Sequence, residues 1–330
     1  MQDGMTRAQD EGPSYEAPSY VWGSEANPSY IGVSSGRRSG AVPVTQNLYV
    51  ALRHLRYDQH PRTLWIDALC IDQTDNQEEA VQVLNMGNYF AKASRVISWL
   101  GPEEAGSNKA IALLQKTAWG IQIDWETFTL WSRNQETPTS FKFLARWAPE
   151  RRVVQSLKPM EIGGHLKWTA DDYQSVYSVL IRPYFRRAWI LQEIRLARRV
   201  LFQCGFTMFV EDDFWTAIYY LSQKSGPKTS APGYWQRAIK DTLKLAYLRA
   251  REEVVSFVSL RHYTGGALCR DPRDKIYSTL GIVEPFVKDL QIQHTYAGRV
   301  QDVYLAVTQR IFTTWSCLDL LEACELSSSH

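Results

Sequence analysis

The chain has 330 residues, 45% of them hydrophobic and 22% charged, a composition that folds and excludes intrinsic disorder, which needs low hydrophobicity and high net charge. Its 37 basic and 35 acidic residues leave a formal charge of +2, so no overall field draws it to nucleic acid or anionic lipid. Five cysteines (Cys70, Cys204, Cys269, Cys317 and Cys324) are odd in number, scattered and without a CxxC pair, which argues against a disulfide framework or a zinc site and for a reduced, cytoplasmic setting. The first residues hold no apolar signal core, and no apolar run approaches the roughly 20 residues needed to span a bilayer.

In chain order, residues 1–14 read as a flexible polar tail. Residues 15–23 are a first strand closing in a glycine turn, in which Pro18 withdraws one ladder donor. Thr45 caps a helix whose Leu48, Ala51, Leu52 and Leu55 share a face. Residues 64–70, apolar except for Asp67 and too short for a free helix, are predicted as a buried parallel strand. After a turn, Thr74 or Asp75 caps a helix to about Ala93, with Val83, Met86 and Phe90 on one face, and residues 96–100 form a strand that stops at Gly101-Pro102. Strand and helix alternating over short links imply a parallel sheet covered by helices.

An insertion at about 105–168 begins with a helix from Ser107 and continues without periodicity through Trp131, Pro138, Trp147, Pro149 and Arg151. Helical periodicity returns after Thr169, breaks at Arg182-Pro183, resumes near Arg186 and precedes a fourth strand at 200–205. From Glu211 the pattern is helical, with breaks at 225–233 and Gly265-Gly266 and a helix opened by Asp271-Pro272-Arg273-Asp274. Residues 211–330 are therefore expected as a helical extension packed on a core of 15–210.

Three ordered blocks carry a family resemblance. They are Ser19-Tyr20-Val21-Trp22-Gly23 with Val44-Thr45-Gln46-Asn47-Leu48; Leu64-Trp65-Ile66-Asp67-Ala68-Leu69-Cys70-Ile71-Asp72-Gln73 with Trp99-Leu100-Gly101; and Arg186-Arg187-Ala188-Trp189-Ile190-Leu191-Gln192-Glu193 with Asp271-Pro272-Arg273-Asp274-Lys275-Ile276-Tyr277. Together, over roughly residues 15–281, they resemble the fungal heterokaryon-incompatibility (HET) domain, a module of cell-death signalling in non-self recognition that is distantly similar to TIR domains. The resemblance implies a TIR/flavodoxin-like α/β fold, self-association, an upstream sensor or incompatibility partner, and NAD or a related nucleotide as substrate, with no resident cofactor or metal. TIR enzymes carry a tryptophan four residues before the catalytic glutamate, and Trp189 and Glu193 reproduce that spacing. Carried over residue by residue, the resemblance makes Glu193 catalytic and assigns substrate binding to Ser19, Tyr20, Trp22, Gly23, Asp67, Cys70, Gln73, Arg186, Trp189 and Arg273.

The chemistry of these residues leaves alternatives open. On a helix, Trp189 and Glu193 are neighbours at i and i+4, so an aromatic plate and a carboxylate can face one pocket. A carboxylate there would stabilise the oxocarbenium ion that forms as a ribosyl bond breaks. Against this, Trp189 packs in the core and Glu193 pairs with Arg186, Arg195 or Arg199. Ligands in open α/β sheets sit beyond the carboxyl ends of strands, which nominates Trp22-Gly23, Asp67 with Cys70, and Gly101 as pocket edges. Asp67 is either catalytic or, as its apolar surroundings favour, the hydrogen-bonded anchor of a loop. Cys70 reads as buried packing rather than a nucleophile, since no histidine is near it in sequence. Arg273 either holds a phosphate or braces the helix start. Gly32-Val33-Ser34-Ser35-Gly36 matches GxSxG without the strand-to-helix context of a nucleophile elbow, and no HExxH, GxGxxG or GxxxxGK[ST] occurs.

Overall fold

In a computed structural model, the chain is described over residues 14–104, 106–132, 158–159, 166–227, 232–250, 260, 263–283, 292, 295–296 and 298–315. Of the expected tail only Ser14 falls among these, and Pro138, Trp147, Pro149 and Arg151 lie outside them. The chain opens with β1 (Glu16–Ser19), a hairpin of β2 (Ser29–Ser35) and β3 (Arg38–Val44), then α1 (Gln46–Leu55), the single turn α2 (Asp67–Cys70), α3 (Asn76–Lys92) and β4 (Arg95–Trp99). It continues through α4 (Ser107–Ala118), β5 (Ile121–Asp124), β6 (Thr129–Ser132), β7 (Lys158–Pro159), α5 (Ala170–Leu180) and α6 (Ile190–Leu196). Last come β8 (Val200–Cys204), β9 (Thr207–Val210), α7 (Glu211–Ser222), α8 (Pro232–Ala250), α9 (Asp274–Leu280) and α10 (Val300–Trp315).

The central sheet runs β1-β4-β8-β9, the first three strands parallel and β9 antiparallel to β8. Leu48, Ala51 and Leu55 of α1 bury one face together with Tyr20, Ile97 and Trp99. The opposite face, bearing Ala17, Val96, Val200 and Phe202, meets Phe90 of α3, Ile111 and Leu114 of α4, Val176 of α5, Ile190 and Ile194 of α6 and Phe214 of α7. Helix ends follow local chemistry. Thr45 Oγ1 accepts from Leu48 N at 3.2 Å, and Asp75 accepts from Gln77 N at 2.8 Å and Glu78 N at 3.2 Å, satisfying donors that a first turn leaves open.

Several elements differ from the sequence reading, among them the antiparallel β5-β6-β7 sheet inside the insertion that was read as aperiodic after its first helix. Residues 64–70 do not form a strand: Leu64 makes one parallel bridge to Glu16, and the chain then coils into α2, with Ile66 O accepting from Leu69 N and Cys70 N at 2.9 and 2.8 Å. The cause is Asp67, whose carboxylate would be unpaired within a buried strand and instead collects donors by leaving the sheet. The β2–β3 hairpin carried no clear strand signal because most of its residues, Tyr30 and Val33 included, are exposed and neither face is well buried, so no in–out alternation was written into it. Its turn, Gly36-Arg37, needs a left-handed residue, and Gly36 has φ +59°. β9 was hidden between strand β8 and the acidic start of α7.

Pro18 sits inside β1 without orphaning a partner. Glu16 directs its N–H and C=O toward Thr63 and Trp65, so Pro18, two residues on, presents its missing donor on the same side. The 64–66 segment has turned away there. Glu16 itself is held by Arg62 and Arg95. Burial alone would raise its carboxyl, but the hydrogen bonds and charges of the two arginines outweigh burial and set it below the usual value. A carboxyl lowered by folding adds stability that is present above its unfolded pKa of about 4.3 and is lost as pH falls through the lower folded value. Urea unfolding of the parent and Glu16→Gln should therefore differ by a constant amount at neutral pH, with the gap closing in acid. A gap independent of pH would contradict this.

Candidate functional site

Ser19 ends β1 and stands opposite Ser98 of β4, so the two hydroxyls share a sheet face, both buried. Arg182-Pro183 stops α5, because proline cannot continue it, and starts a single 3-10 turn over Pro183–Arg186. That turn carries Tyr184 beneath the strand ends. Its Oη lies 2.7 Å from Ser98 Oγ and 3.0 Å from Ser19 Oγ, and Ser19 Oγ in turn donates to Glu193 on α6.

Arg187 closes the cluster. Its Nη1 and Nη2 each donate to a different oxygen of Glu193 at 3.0 Å, and Nη1 lies 3.4 Å from Ser19 Oγ. The Glu193 side chain is 2% exposed and that of Arg187 13%, so the pair exchanges hydration for a bidentate, charge-assisted contact. Burial alone would lower the Arg187 guanidinium, but the charge and hydrogen bonds of Glu193, with Tyr184 and Asp67 nearby, raise it above its ordinary value. Burial, and then the Glu193 charge, push the Tyr184 phenol upward.

A second layer joins on the side of Asp67. Its Oδ1 accepts from Tyr20 Oη at 3.1 Å and from Ala68 N at 2.8 Å, and Oδ2 accepts from Trp22 Nε1 at 2.9 Å. Burial and the neighbouring Asp67 charge raise the Tyr20 phenol well above its usual range. Gly23 has φ +78°, a left-handed conformation that favours glycine, and a Cβ there would stand 2.8 Å from Asn47 Nδ2 and displace that amide. The structure thus brings together Ser19, Tyr20, Trp22, Asp67 and Glu193 from the sequence-derived set.

Others in that set lie elsewhere. The Arg186 side chain is exposed, while its carbonyl accepts from Leu268 N at 2.5 Å. Gln73 is exposed and reaches only Asp67 O at 3.4 Å and Ile71 O at 3.5 Å. Cys70 is exposed, which corrects its reading as buried packing and follows from α2 replacing the strand. Trp189 O accepts from Glu193 N at 3.1 Å, as helical spacing requires, but its indole hydrogen-bonds Asp274 and so serves a different partner from the carboxylate. Arg273 is held by Asp271 at 2.6 Å and by the carbonyls of Tyr296 and Gly298 at 2.6 and 3.3 Å, so its donors brace α9. At Gly101, the loop after β4 is filled by Arg182, which donates to Leu100 O at 2.8 Å and Pro102 O at 3.0 Å.

Sequence reasoning missed Arg187, Tyr184 and Ser98. Ser98 was the one polar residue in Val96-Ile97-Ser98-Trp99-Leu100, a usable signal. Which of Arg186 and Arg187 turns inward is decided by the 3-10 turn and is not written in either residue. Glu193's partner is consequently Arg187 rather than Arg186, Arg195 or Arg199. Among the described residues, no group of three or more His, Cys, Asp or Glu side chains is placed to hold a metal ion, and no helix is long and apolar enough to cross a membrane.

Fold and site together define an α/β domain with a buried acid–guanidinium cluster at the carboxyl ends of parallel strands. Residues 15–193 match the family described as heterokaryon incompatibility protein (HET), more than half of the chain, and the chain belongs to that family. Over 212 residues it is 28% identical to Heterokaryon incompatibility protein 6, OR allele, of Neurospora crassa, an alignment covering 59% of this chain and 29% of that protein. The chain therefore spans less than a third of the length of this relative. No solved structure matches it.

Removing one member of a buried, hydrogen-bonded ion pair strands the other charge and costs about 3–5 kcal/mol, whereas removing both with shape retained is close to neutral. Chemical unfolding should show Glu193→Gln and Arg187→Met each strongly destabilised, with much of the loss recovered in the double variant. Single-variant losses below about 0.5 kcal/mol, the range of an exposed pair, would contradict the burial described.

Proposed function

We propose that this chain is the effector portion of a fungal non-self recognition protein, which triggers cell death by cleaving NAD or a related nucleotide at its N-glycosidic bond once assembled. The observation that carries the reading is the Glu193 carboxylate, held by Ser19 and Arg187 where β1 and β4 end. The chain leaves β1 for the Leu64 bridge on one side and returns as β4 on the other. This is a topological switch point, where open α/β sheets take ligands. The order Leu64 segment, β1, β4, β8 is also that of the first four strands of a flavodoxin-like sheet, which supports a TIR-like fold.

In the reaction, the ribose C1–N bond breaks with its electron pair leaving on the nicotinamide nitrogen. Water then adds to C1 and releases a proton, giving nicotinamide and the ADP-ribosyl product. A pyridinium leaves as a neutral base and needs no strong acid, so the demand on the protein is a negative charge near the developing oxocarbenium ion. Glu193 supplies it when Arg187 turns away, and Trp22 and Tyr20, anchored by Asp67, form the adjoining aromatic wall. The resting arrangement, with both Glu193 oxygens engaged by Arg187, is the closed form of this site.

That same engagement favours a second reading, a non-catalytic module that relays a death signal by assembling with copies of itself or with a sensor or incompatibility partner. Concentrated protein incubated with NAD should release nicotinamide, and Glu193→Gln, shown to be folded by circular dichroism, should abolish release and killing in a fungal host. Killing at parental strength by folded Glu193→Gln, without NAD loss, would overturn the enzymatic reading in favour of the relay.

A further inference from the structure

We propose that α3 is a self-association surface that packs antiparallel against α3 of a second copy. The helix turns Met86, Gly87 and Phe90 inward and leaves Gln77, Val81, Leu84 and Asn88 exposed. These four are spaced by four, three and four residues, the seam of one helix against another. Val81 is 55% exposed and Leu84 52%, with a polar residue on either side. Turned about a two-fold axis between them, Val81 meets the copy's Leu84 and Gln77 meets its Asn88.

Charge selects the orientation and the occupant. Asp72, Asp75 and Glu78 cluster at the start of α3, while its end carries Lys92 and the exposed Arg198, whose Nε donates to Ala91 O at 3.1 Å. An antiparallel copy sets each acidic end against a basic end and opposes the two helix dipoles favourably. A second bare apolar patch, Phe206, Met208 and Val210 beside β9, lacks this property. Glu103 and Glu104 flank its start and Asp212 and Asp213 its end, so a two-fold there opposes acid to acid. A seam of about three turns, ~16 Å long, falls well short of the roughly 800 Å² per partner of a standard interface, so the dimer is reversible and concentration-dependent.

The inference rests on the assembly required by the proposed function, and sedimentation velocity tests it without nucleotide, so its failure is separable from failure of turnover. The full chain should shift from monomer to dimer with rising concentration, more readily at low salt. Leu84→Glu should remain monomeric and Met208→Glu should dimerise like the parent. Lys92→Glu and Glu78→Lys, each of which opposes like charges in its own dimer, should be monomeric alone and associate when mixed. A parent monomeric at every soluble concentration, dimerisation by Leu84→Glu, its loss in Met208→Glu, or no association of the charge-swapped mixture would each overturn the assignment.

Discussion

A carboxylate that is 2% exposed needs fixed donors in place of the water it has lost, and the architecture around Glu193 follows from meeting that demand. The donors come from elements far apart in sequence: Ser19 from the end of β1 and Arg187 from the loop before α6. Behind them, Tyr184 joins Ser19 to Ser98 of β4. Strand register therefore matters to the site, because Ser19 and Ser98 share a face only while β1 and β4 stay aligned as they are. The backbone on either side of Arg187 is held in turn by Leu268, which accepts from Ala188 N at 3.0 Å and donates to Arg186 O.

Two further constraints keep α6 in place. Gln192, beside Glu193, packs between helices that approach closely only because Gly87 and Gly281 have no side chain: a Cβ on Gly87 would stand 2.7 Å from Gln192 Nε2, and one on Gly281 would collide with it outright. At the other end, Arg249 of α8 donates to Ala197 O at 2.6 Å and to Arg195 O at 3.3 Å, carbonyls at the end of α6, while pairing with Glu211 at 3.0 Å. Glu211 also accepts from Val200 N at 3.0 Å. The helices beyond residue 211 thus hold the site helix, and Trp235, Ile239 and Leu243 of α8 join the same buried cluster as the sheet.

Much of this was legible in the residues, and the gaps have physical causes. Periodicity placed α1 and α3, and an apolar run placed β4, because burial of a single face or of both faces leaves a pattern in sequence. The same rule failed at 64–70, where one acidic side chain redirected an otherwise strand-like segment, and at the hairpin, where neither face is well buried. Of the residues that meet at the candidate site, Ser19, Tyr20, Trp22, Asp67 and Glu193 were nominated through motifs that local sequence carries. Arg187 and Tyr184 were not, because their roles depend on contacts with β1 and β4, some 90 to 170 residues away, which no local pattern encodes.

The Glu193–Arg187 pair joins strand, loop and helix at one buried point. Amide hydrogen exchange on Arg187→Met tests that coupling most directly. Protection should fall together in residues 16–22, 186–196 and 264–270, because all three segments meet at the one charge cluster. Loss of protection confined to the loop around residue 187, with β1 and the 264–270 segment unchanged, would contradict it.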